Sequence, residues 1–332
     1  MTRRARHLEP KVAVVGCGYW GKNLVRNFHQ LDALACVHDA DSSAVAAMTA
    51  AYSVPARSLD EVLGDPGIAG VVIATPAELH AEMAETAIAA GKGVFVEKPL
   101  ALEVRAAERL CRLAGQAGRT LMVGHLMQYH PAFEKLKEIC GSKAVGRVRY
   151  VYSHRLNLGK IRTEENILWS FAPHDISMIL GLLGESPETV SATGHSYLNH
   201  DVPDVTTTHM TFAGGRAAHV FVSWLHPFKE QRLVVVGEEG MVVFDDTLAA
   251  AEKISLYPHR VTMSGGIPTA AKADRQAIPI ADAEPLTMEC RHFLHCLKTG
   301  ETPRTDGEEA LRVLRVLDAA QRSIESGEAK RL

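Results

Sequence analysis

Two segments of the chain place side chains that can move a proton inside otherwise apolar sequence. His174 and Asp175 interrupt the run NILWSFAPHDISMIL, residues 166–180, and Lys98 directly follows the strand-like run GVFVE. A neutral imidazole can accept a hydroxyl proton, and an ammonium group can stabilise a developing oxyanion. The two segments favour acid–base chemistry if the fold brings them to one cleft. The alternative is that these charges are simply solvated at the end of a helix and of a strand.

The histidine segment has the periodicity of a helix. Pro173 suits a first helical position, and an apolar stripe follows at helical spacing, formed by Ile176, Ile179, Leu180 and Leu183. The helix is expected to begin at Pro173, with His174 opposite the stripe, in line with Ser177 and Gly181, facing water or a cleft. In the first turn the helix dipole would disfavour the protonated imidazole. Asp175 is expected either to orient His174 or the substrate, or to be a charge at the helix end.

A glycine-rich loop follows the first strand-like run, KVAVV. It consists of Gly16-Cys17-Gly18-Tyr19-Trp20-Gly21 and leads into a helical segment, the context in which GxGxxG binds a dinucleotide. The glycines permit a tight turn and close approach of a pyrophosphate, to which the helix N-terminus offers N–H groups. A second strand ends at His38-Asp39, about 20 residues downstream, where an acid binds the adenine ribose and repels a 2′-phosphate. The pattern predicts NAD in preference to NADP, with Gly16, Gly18, Tyr19, Trp20, Gly21 and Asp39 as cofactor contacts.

Two further segments, ATPAELH and VFVEKPL, follow later strands of the same sheet. In doubly wound folds, ligands bind at the carboxyl edge of the strands. We therefore expect cofactor contacts from both segments, namely from Thr75, Pro76, His80, Glu97 and Lys98. Lys98 is placed to reach the reacting end of the cofactor.

Strand-like and helix-like segments alternate over the first third of the chain. This alternation predicts an α/β Rossmann domain over residues 1–126, with a parallel, doubly wound sheet that binds NAD. Beyond it, long alternating strands with turns at Gly214-Gly215 and Glu239-Gly240 predict an α+β domain over residues 127–332, with one large, mainly antiparallel sheet. Residues 263–285 look loop-rich, and two amphipathic helices, near 286–300 and 307–327, close the chain.

Composition disfavours several classes of protein. With 332 residues, 46% of them hydrophobic, the chain can fill two domains, and its net charge of −3 provides no field that would attract nucleic acid. Six cysteines without a CxxC pair are typical of reduced thiols in a cytoplasmic protein. The basic start, MTRRARHLEP, lacks a signal-peptide apolar stretch, and no run approaches the ~20 residues of a membrane span. No metal site is expected, because no ligand spacing is evident at His195, His200, His209 and His219.

Four segments together resemble the glucose-fructose oxidoreductase/inositol dehydrogenase/MocA family. They are GCGYWG, ATPAELHAEMAETAIAAGKGVFVEKPLAL, VGHLMQYHP and the PHDISMI helix, and the resemblance covers essentially the whole chain. Its most specific motif is AGKGVFVEKP, residues 90–99, followed by a helical histidine ten residues before a glycine, here His174 and Gly184. The resemblance implies an NAD(P)-dependent oxidoreductase acting on sugars, inositols or nucleotide-linked sugars. It also implies a homodimer or homotetramer packed through the second-domain sheet.

Family residues can be carried over to this chain at matching positions. The EKP lysine corresponds to Lys98 and the active-site histidine to His174, and Asp175 is retained as a third catalytic candidate. Two departures concern the same site. Many members have an aspartate four residues before the histidine, where this chain has Ser170. The frequent RFNP motif is here Gln128-Tyr129-His130-Pro131, which makes Gln128 a cofactor candidate and Tyr129 a substrate candidate.

The segment RLNLGKIRTEENILWSFAPHDIS looks closest to a branch of nucleotide-sugar enzymes that includes UDP-N-acetylglucosamine 3-dehydrogenases. Cationic side chains suit phosphate oxygens and amides suit sugar hydroxyls, although a solvated charge pattern is the alternative. Together with Tyr129 and His174, the candidate substrate contacts are Asn157, Lys160, Arg162, Asn166 and Trp169.

The leading hypothesis for function is NAD-dependent oxidation of a secondary hydroxyl, at C3 of a nucleotide-linked N-acetylhexosamine, to a ketone. One alternative is a sugar or cyclitol 3-dehydrogenase in aminoglycoside or other secondary metabolism. An alternative of another class is a non-catalytic NAD-sensing regulator. The presence of both Lys98 and His174 argues against the regulator.

Overall fold

The computed structural model describes residues 9–142 and 144–332, so the basic N-terminal residues 1–8 lie outside the description. Its α-helices are α1 Gly21–Gln30, α2 Ser42–Tyr52, α3 Leu59–Gly64, α4 His80–Ala89, α5 Val104–Ala117, α6 Pro131–Gly141, α7 Ile167–Leu183, α8 Pro285–Thr299 and α9 Gly307–Ser326. Its strands are β1 Lys11–Val15, β2 Leu34–His38, β3 Ile68–Ile73, β4 Gly93–Val96, β5 Leu121–Val123, β6 Val148–Leu156, β7 Thr189–His195, β8 Val205–Thr211, β9 Ala217–Ser223, β10 Glu230–Gly237, β11 Met241–Asp245, β12 Ile254–Tyr257, β13 Arg260–Ser264, β14 Ile267–Ala271, β15 Gln276–Ile278 and β16 Lys330–Arg331.

The first compact unit contains a five-stranded parallel sheet in the order β2-β1-β3-β4-β5. The unit comprises the residues up to Leu126 and also Glu284–Leu311. Its strands are short and rich in buried β-branched residues, as expected for strands covered on both faces. The predicted parallel, doubly wound sheet is confirmed, and the strand order reverses at β1 and β3, next to the glycine-rich loop.

Helix α8 packs in the first unit, although the sequence placed it in a domain continuous over residues 127–332. The reason is a cluster of three aromatic rings. Phe293 lies with its ring centroid 6.4 Å from that of Phe28 and 5.6 Å from that of Phe95. These partners come from α1 and β4, far away in sequence, so the pattern of the helix alone did not reveal them.

The second compact unit comprises Met127–Ala283 and Arg312–Leu332. Its nine-stranded sheet has the order β15-β12-β11-β10-β6-β9-β8-β7-β16, and neighbouring strands are antiparallel except for the β6–β9 pair. One face of this sheet carries α7, whose Ile176 and Ile179 share a buried core with Val151 and Val220. The predicted large, mainly antiparallel sheet is confirmed, as are the connections at Gly214-Gly215 and Glu239-Gly240.

Residues 263–285 are more regular than the sequence suggested. Strands β13 and β14 form a separate two-stranded hairpin around Gly265-Gly266, and β15 joins the edge of the large sheet. The hairpin residues are exposed throughout, so no alternation of buried and exposed positions was available to predict them.

In the described part of the chain, no helix combines the length and the apolar character needed to cross a bilayer.

Candidate active site

The glycine-rich loop has the backbone that a dinucleotide-binding turn requires. Gly16 has φ +97°, and a Cβ on it would lie 2.5 Å from the carbonyl oxygen of Ala74. A Cβ on Gly21 would lie 1.9 Å from the carbonyl oxygen of Gly16, so both positions exclude any side chain. A Cβ on Gly18, in contrast, would meet no atom within 4 Å. The loop is therefore tightly packed at Gly16 and Gly21 and leaves free space at Gly18. This space fits a pyrophosphate at the start of α1.

Asp39 is fixed beside this loop by two backbone hydrogen bonds. Its Oδ2 accepts from the N–H of Cys17 at 2.5 Å, and its Oδ1 accepts from the N–H of Asp41 at 2.8 Å. The carboxylate borders a cavity of about 340 Å³ lined by Val37, His38, Asp39, Ala40, Ser42, Val45, Ala56, Arg57, Ser58 and Glu61. A negative charge at this place suits ribose hydroxyls and opposes a 2′-phosphate. The cavity, the carboxylate and the open loop together fit the adenosine half of NAD.

The loops that follow β3 and β4 are joined through His80. Its Nδ1 lies 2.7 Å from the carbonyl oxygen of Pro99, and its Nε2 lies 2.9 Å from that of Thr75. Burial lowers the pKa of His80, and a neutral imidazole has one N–H, so the ring donates to one of the two carbonyls. The structure thus gives His80 a role in holding these loops. Direct contacts of Thr75, Pro76 and His80 with the cofactor stay predictions.

Glu97 connects the EKP turn with the glycine-rich loop. The indole N–H of Trp20 donates to Glu97 Oε1 at 2.5 Å, whereas the neighbouring Tyr19 is largely exposed. Burial raises the pKa of Glu97 to about 7. Lys98 follows at the carboxyl end of β4, is partly exposed, and precedes Pro99 across a cis peptide bond. The structure therefore places Trp20, Glu97 and Lys98 at one edge of the first sheet, as the sequence predicted.

The helix that carries His174 begins at Ile167, so the prediction that it starts at Pro173 was wrong. Asn166 is the N-cap, because its Oδ1 accepts from the N–H of Trp169 at 3.2 Å. Pro173 lies inside α7, and the helix ends at Gly184 in the left-handed conformation with φ +71°. His174 is consequently two turns from the N-terminus. The expected effect of the helix dipole on its imidazole does not apply at that distance.

The side of α7 opposite the apolar stripe is packed against Gln128 at Ser177. Gln128 Nε2 donates to the carbonyl oxygen of Ser177 at 2.8 Å and contacts Ser177 Oγ at 3.0 Å. A Cβ on Gly181 would lie 2.5 Å from Gln128 Nε2. His174, on the same line of the helix, is half-buried. The face predicted to meet water or a cleft is thus buried at Ser177, between half-buried His174 and exposed Gly181.

Asp175 points toward the sheet and is paired there. It is 1% exposed, its Oδ2 accepts from Arg155 Nε at 2.7 Å, and its Oδ1 accepts from Ser153 Oγ at 2.5 Å. The alternative of a charge at the helix end is therefore wrong, because the residue is neither terminal nor solvated. The contacts explain Asp175 by the packing of α7 on β6. A direct catalytic role stays a prediction.

The predicted substrate residues are held in different ways by the second unit. Tyr129 is 1% exposed and its ring belongs to the interior, as does the side chain of Gln128. Besides capping α7, Asn166 donates from Nδ2 to Gln321 Oε1 at 2.9 Å, and Trp169 Nε1 donates to the same oxygen at 3.3 Å. These two side chains are engaged in fixing the start of α7.

The remaining candidates lie between β6 and α7. Asn157 is partly exposed, and its backbone N–H donates to the carbonyl oxygen of Ser223. Lys160 is exposed, whereas Arg162 lies 3.1 Å from Glu165 Oε1 and 3.6 Å from Glu164 Oε1. The cationic character of this loop is therefore carried mainly by Lys160.

Two neighbours of the candidate site residues were not identified from the sequence. Arg57 lines the cavity beside Asp39, and Arg155 pairs with Asp175. Arg155 lies two residues after Ser153 on β6, so strand alternation would have placed both on the buried face. Among the described residues, no group of three or more histidines, cysteines, aspartates and glutamates could hold a metal ion.

Comparisons with known proteins find matches for both units of the chain. Residues 10–125 match the oxidoreductase family with an NAD-binding Rossmann fold, and residues 133–243 match the GFO/IDH/MocA C-terminal domain. UDP-N-acetylglucosamine 3-dehydrogenase of Acidithiobacillus ferrooxidans is 27% identical over 92% of this chain and 94% of its own. Its solved structure GnnA superposes with a TM-score of 0.84 at 25% identity, covering 95% of this chain and 97% of its own.

Two further relatives are named for a different reaction or pathway. A scyllo-inositol 2-dehydrogenase (NAD(+)) of Bacillus subtilis is 28% identical over 96% of this chain and 94% of its own. GenD2 from gentamicin A biosynthesis, solved in complex with NAD, has a TM-score of 0.83 at 25% identity and covers 100% of this chain and 99% of its own. The predicted family and the predicted cofactor are thereby confirmed. The chain belongs to the GFO/IDH/MocA family of NAD-dependent oxidoreductases.

Proposed function

We propose that this enzyme oxidises the C3 hydroxyl of a nucleotide-linked N-acetylhexosamine to a ketone, with NAD as the oxidant. The observation that carries the proposal is the similarity, over nearly the full length of both chains, to a UDP-N-acetylglucosamine 3-dehydrogenase. The presence of Lys98 and His174 supports it. The exposed Lys160, between β6 and α7, adds a cation suited to a diphosphate.

The proposed chemistry divides between two side chains. When bound, NAD supplies the ring that accepts a hydride from the carbinol carbon. His174 accepts the hydroxyl proton at an imidazole nitrogen, and the Lys98 ammonium stabilises the negative charge that develops on the substrate oxygen. The opposite division of these two roles is the alternative, and a pH profile of each variant distinguishes them.

Single replacements test these roles. We expect Lys98→Met and His174→Ala each to lower kcat by roughly 10²–10⁴-fold, the usual contribution of a positioned acid or base. Exposed residues of the same types provide matched controls, Lys272→Met and His200→Ala, which should retain wild-type turnover. The rates are measured as NADH absorbance with saturating sugar nucleotide. Near wild-type rates for Lys98→Met and His174→Ala would refute the assignment.

A sugar or cyclitol of secondary metabolism is the second candidate substrate. The inositol dehydrogenase and the gentamicin-pathway relative favour it, as does the partial neutralisation of Arg162 by two glutamates. A panel of UDP-N-acetylhexosamines, inositols and aminoglycosides, assayed for NADH formation, separates the candidates. Turnover of inositols or aminoglycosides alone would contradict the nucleotide-sugar proposal and support the second candidate.

We also propose that the chain self-associates through the outer face of the large sheet, which is the face opposite the one that carries α7. This face carries an array of rings on β6, β8 and β9 formed by Tyr150, Tyr152, His154, His209, His219 and Phe221. Aromatic residues are enriched at the centres of protein interfaces.

The six free cysteines support the proposal that the enzyme works in a reducing compartment, the cytoplasm.

A further inference from the structure

Helix α8 runs antiparallel to β4 in a register that is fixed by two packed contacts. Leu297 lies against Gly93, where a Cβ would be 2.2 Å from its side chain, and the ring of Phe293 packs on that of Phe95. Each step of four residues along the helix advances about 6 Å, and each step of two along the strand advances about 6.6 Å. The two steps match, so the next pair in this register is Glu289 and Glu97.

Glu289 is an unusual residue for this position. Its side chain is 0% exposed, and neither carboxyl oxygen has a hydrogen-bond partner among the described residues. Glu97, in contrast, is held on one side by the Trp20 N–H. On another side it packs so closely on Gly124 that a Cβ there would lie 2.9 Å from Glu97 Oε2. The register therefore places the buried, unpartnered carboxyl group of Glu289 next to Glu97, whose own carboxyl group is fixed.

The other ionisable groups around this pair are few and mostly engaged. Lys98 follows Glu97, and His125 acts on Glu97 while its Nδ1 lies 2.5 Å from Glu309 Oε2. On the helix side are the Cys290 thiol and the exposed ion pair between Arg26 and Glu284. None of these groups is hydrogen-bonded to Glu289 in the described residues.

We propose that Glu289 and Glu97 share one proton as a carboxylic acid–carboxylate pair that holds Trp20, and with it the glycine-rich loop, against the turn that carries Lys98. Two ionised carboxylates cannot be buried in contact without a large cost, whereas one proton converts their repulsion into a charge-assisted O–H···O hydrogen bond. Glu289 is then a positioning residue for NAD binding.

The pair confers a defined dependence on pH. Burial raises the pKa of Glu289 well above its ordinary value, and burial also raises the pKa of Glu97. Because the native state holds the proton more tightly than the unfolded chain, the free energy of unfolding decreases as pH rises through this range. When the shared proton leaves, the two negative charges repel, Glu97 no longer holds Trp20 in place, and affinity for NAD falls.

Replacement of Glu289 by its neutral isostere tests the proposal. We expect the wild-type Kd for NAD, measured by calorimetry without sugar, to increase about tenfold as pH rises by a few units above about 7, and the intrinsic Trp fluorescence of the apoprotein to change over the same range. Glu289→Gln should remove both dependences, because its amide can donate to Glu97 at any pH. Exposed Glu308→Gln, in the same unit, is the matched control and should follow the wild type.

Infrared spectroscopy adds a readout of the proton itself. At neutral pH the wild type should show a carboxylic acid C=O band from a glutamate, assigned by isotope labelling and absent in Glu289→Gln. Wild-type protein without this band would overturn the proposal, even if the variant failed to fold. A Glu289→Gln protein that kept the wild-type pH dependence would overturn it as well. None of these three measurements contains a sugar substrate, so failure of the proposed sugar specificity would leave their results unaffected.

Discussion

At the residue scale, we attribute the preference for NAD over NADP to one carboxylate, that of Asp39. Asp39 is held by the N–H groups of Cys17 and Asp41, so it cannot swing away to admit an extra phosphate without losing both hydrogen bonds. The cationic Arg57 lines the same cavity but is engaged with Asp65 at 2.5 Å. Removal of the Asp39 charge would leave Arg57 and Glu61 as charged residues of the cavity lining, and so one negative charge fewer.

This arrangement predicts a change of specificity in Asp39→Ser. The ratio of kcat/KM for NAD to that for NADP should fall at least about tenfold, equivalent to about 1.4 kcal/mol, because repulsion of the 2′-phosphate is lost. Asp60→Ser, an acid in the same unit outside the cavity lining, is the control and should keep the wild-type ratio. An unchanged preference in Asp39→Ser would show that discrimination arises elsewhere.

Residues of the cofactor loop were predictable because their motif is local. A short stretch of sequence shows both the glycine-rich turn and the strand that follows it, and this is enough to identify Gly16, Gly18, Gly21 and Asp39. Glu289 was not predictable in this way. Its partner depends on the register of α8 on β4, which long-range packing sets.

At the element scale, α7 is positioned on the sheet by a buried ion pair. Asp175 and Arg155 are both largely buried, and Ser153 supplies a further hydrogen bond. The periodicity of α7 correctly identified its apolar stripe, but Pro173 indicated a false start. The cap at Asn166 lies in a polar loop, where the sequence favoured substrate contacts instead.

Breaking this pair should destabilise the protein. Asp175→Ala leaves the Arg155 guanidinium buried without its carboxylate, which should cost about 3–5 kcal/mol of unfolding free energy in urea titrations. The double variant Arg155→Met/Asp175→Leu should recover most of this loss, because no unpaired charge remains. Full stability of Asp175→Ala would contradict the structural role. A stable double variant without turnover would support a catalytic role for Asp175.

At the scale of the whole molecule, the proposed self-association through the outer face of the large sheet predicts a dependence of assembly on pH. His219 lies beside Tyr152 in a stacked arrangement with 5.5 Å between ring centroids, and His154 and His209 are near it. Burial lowers the pKa of His219, with smaller contributions from His154 and His209. The neutral form of the His219 ring is thus favoured, so protonation at low pH should destabilise packing at this surface.

We therefore expect the assembly to dissociate as pH falls from about 7 to about 5. The contribution of neutral His219 is fully present above the ordinary histidine pKa and is lost as pH falls through the lowered pKa of this ring, when it becomes cationic. Light scattering coupled to size exclusion measures the mass at each pH. The assembly of the His219→Gln variant should dissociate less at low pH, because glutamine does not take up a proton. The Tyr152→Glu variant should stay unassembled at about pH 7.5. Constant mass across this range, with Tyr152→Glu still assembled, would exclude this face as the interface.

The two units were predictable as fold types, but their membership was not. Alternation of strand-like and helix-like segments predicted the parallel sheet, and alternating residues along longer strands predicted the antiparallel sheet. The return of residues 284–311 to the first unit depends on Phe293 meeting Phe28 and Phe95, partners that no local pattern identifies.

The most direct test of the proposed reaction follows the hydrogen on C3. UDP-N-acetylglucosamine deuterated at C3 is incubated with the purified enzyme and NAD, and the reduced cofactor is analysed by mass spectrometry. The proposed function predicts monodeuterated NADH and a 3-keto sugar nucleotide in equal amounts. Formation of NADH without deuterium, or of none while inositols or aminoglycosides are oxidised, would contradict it.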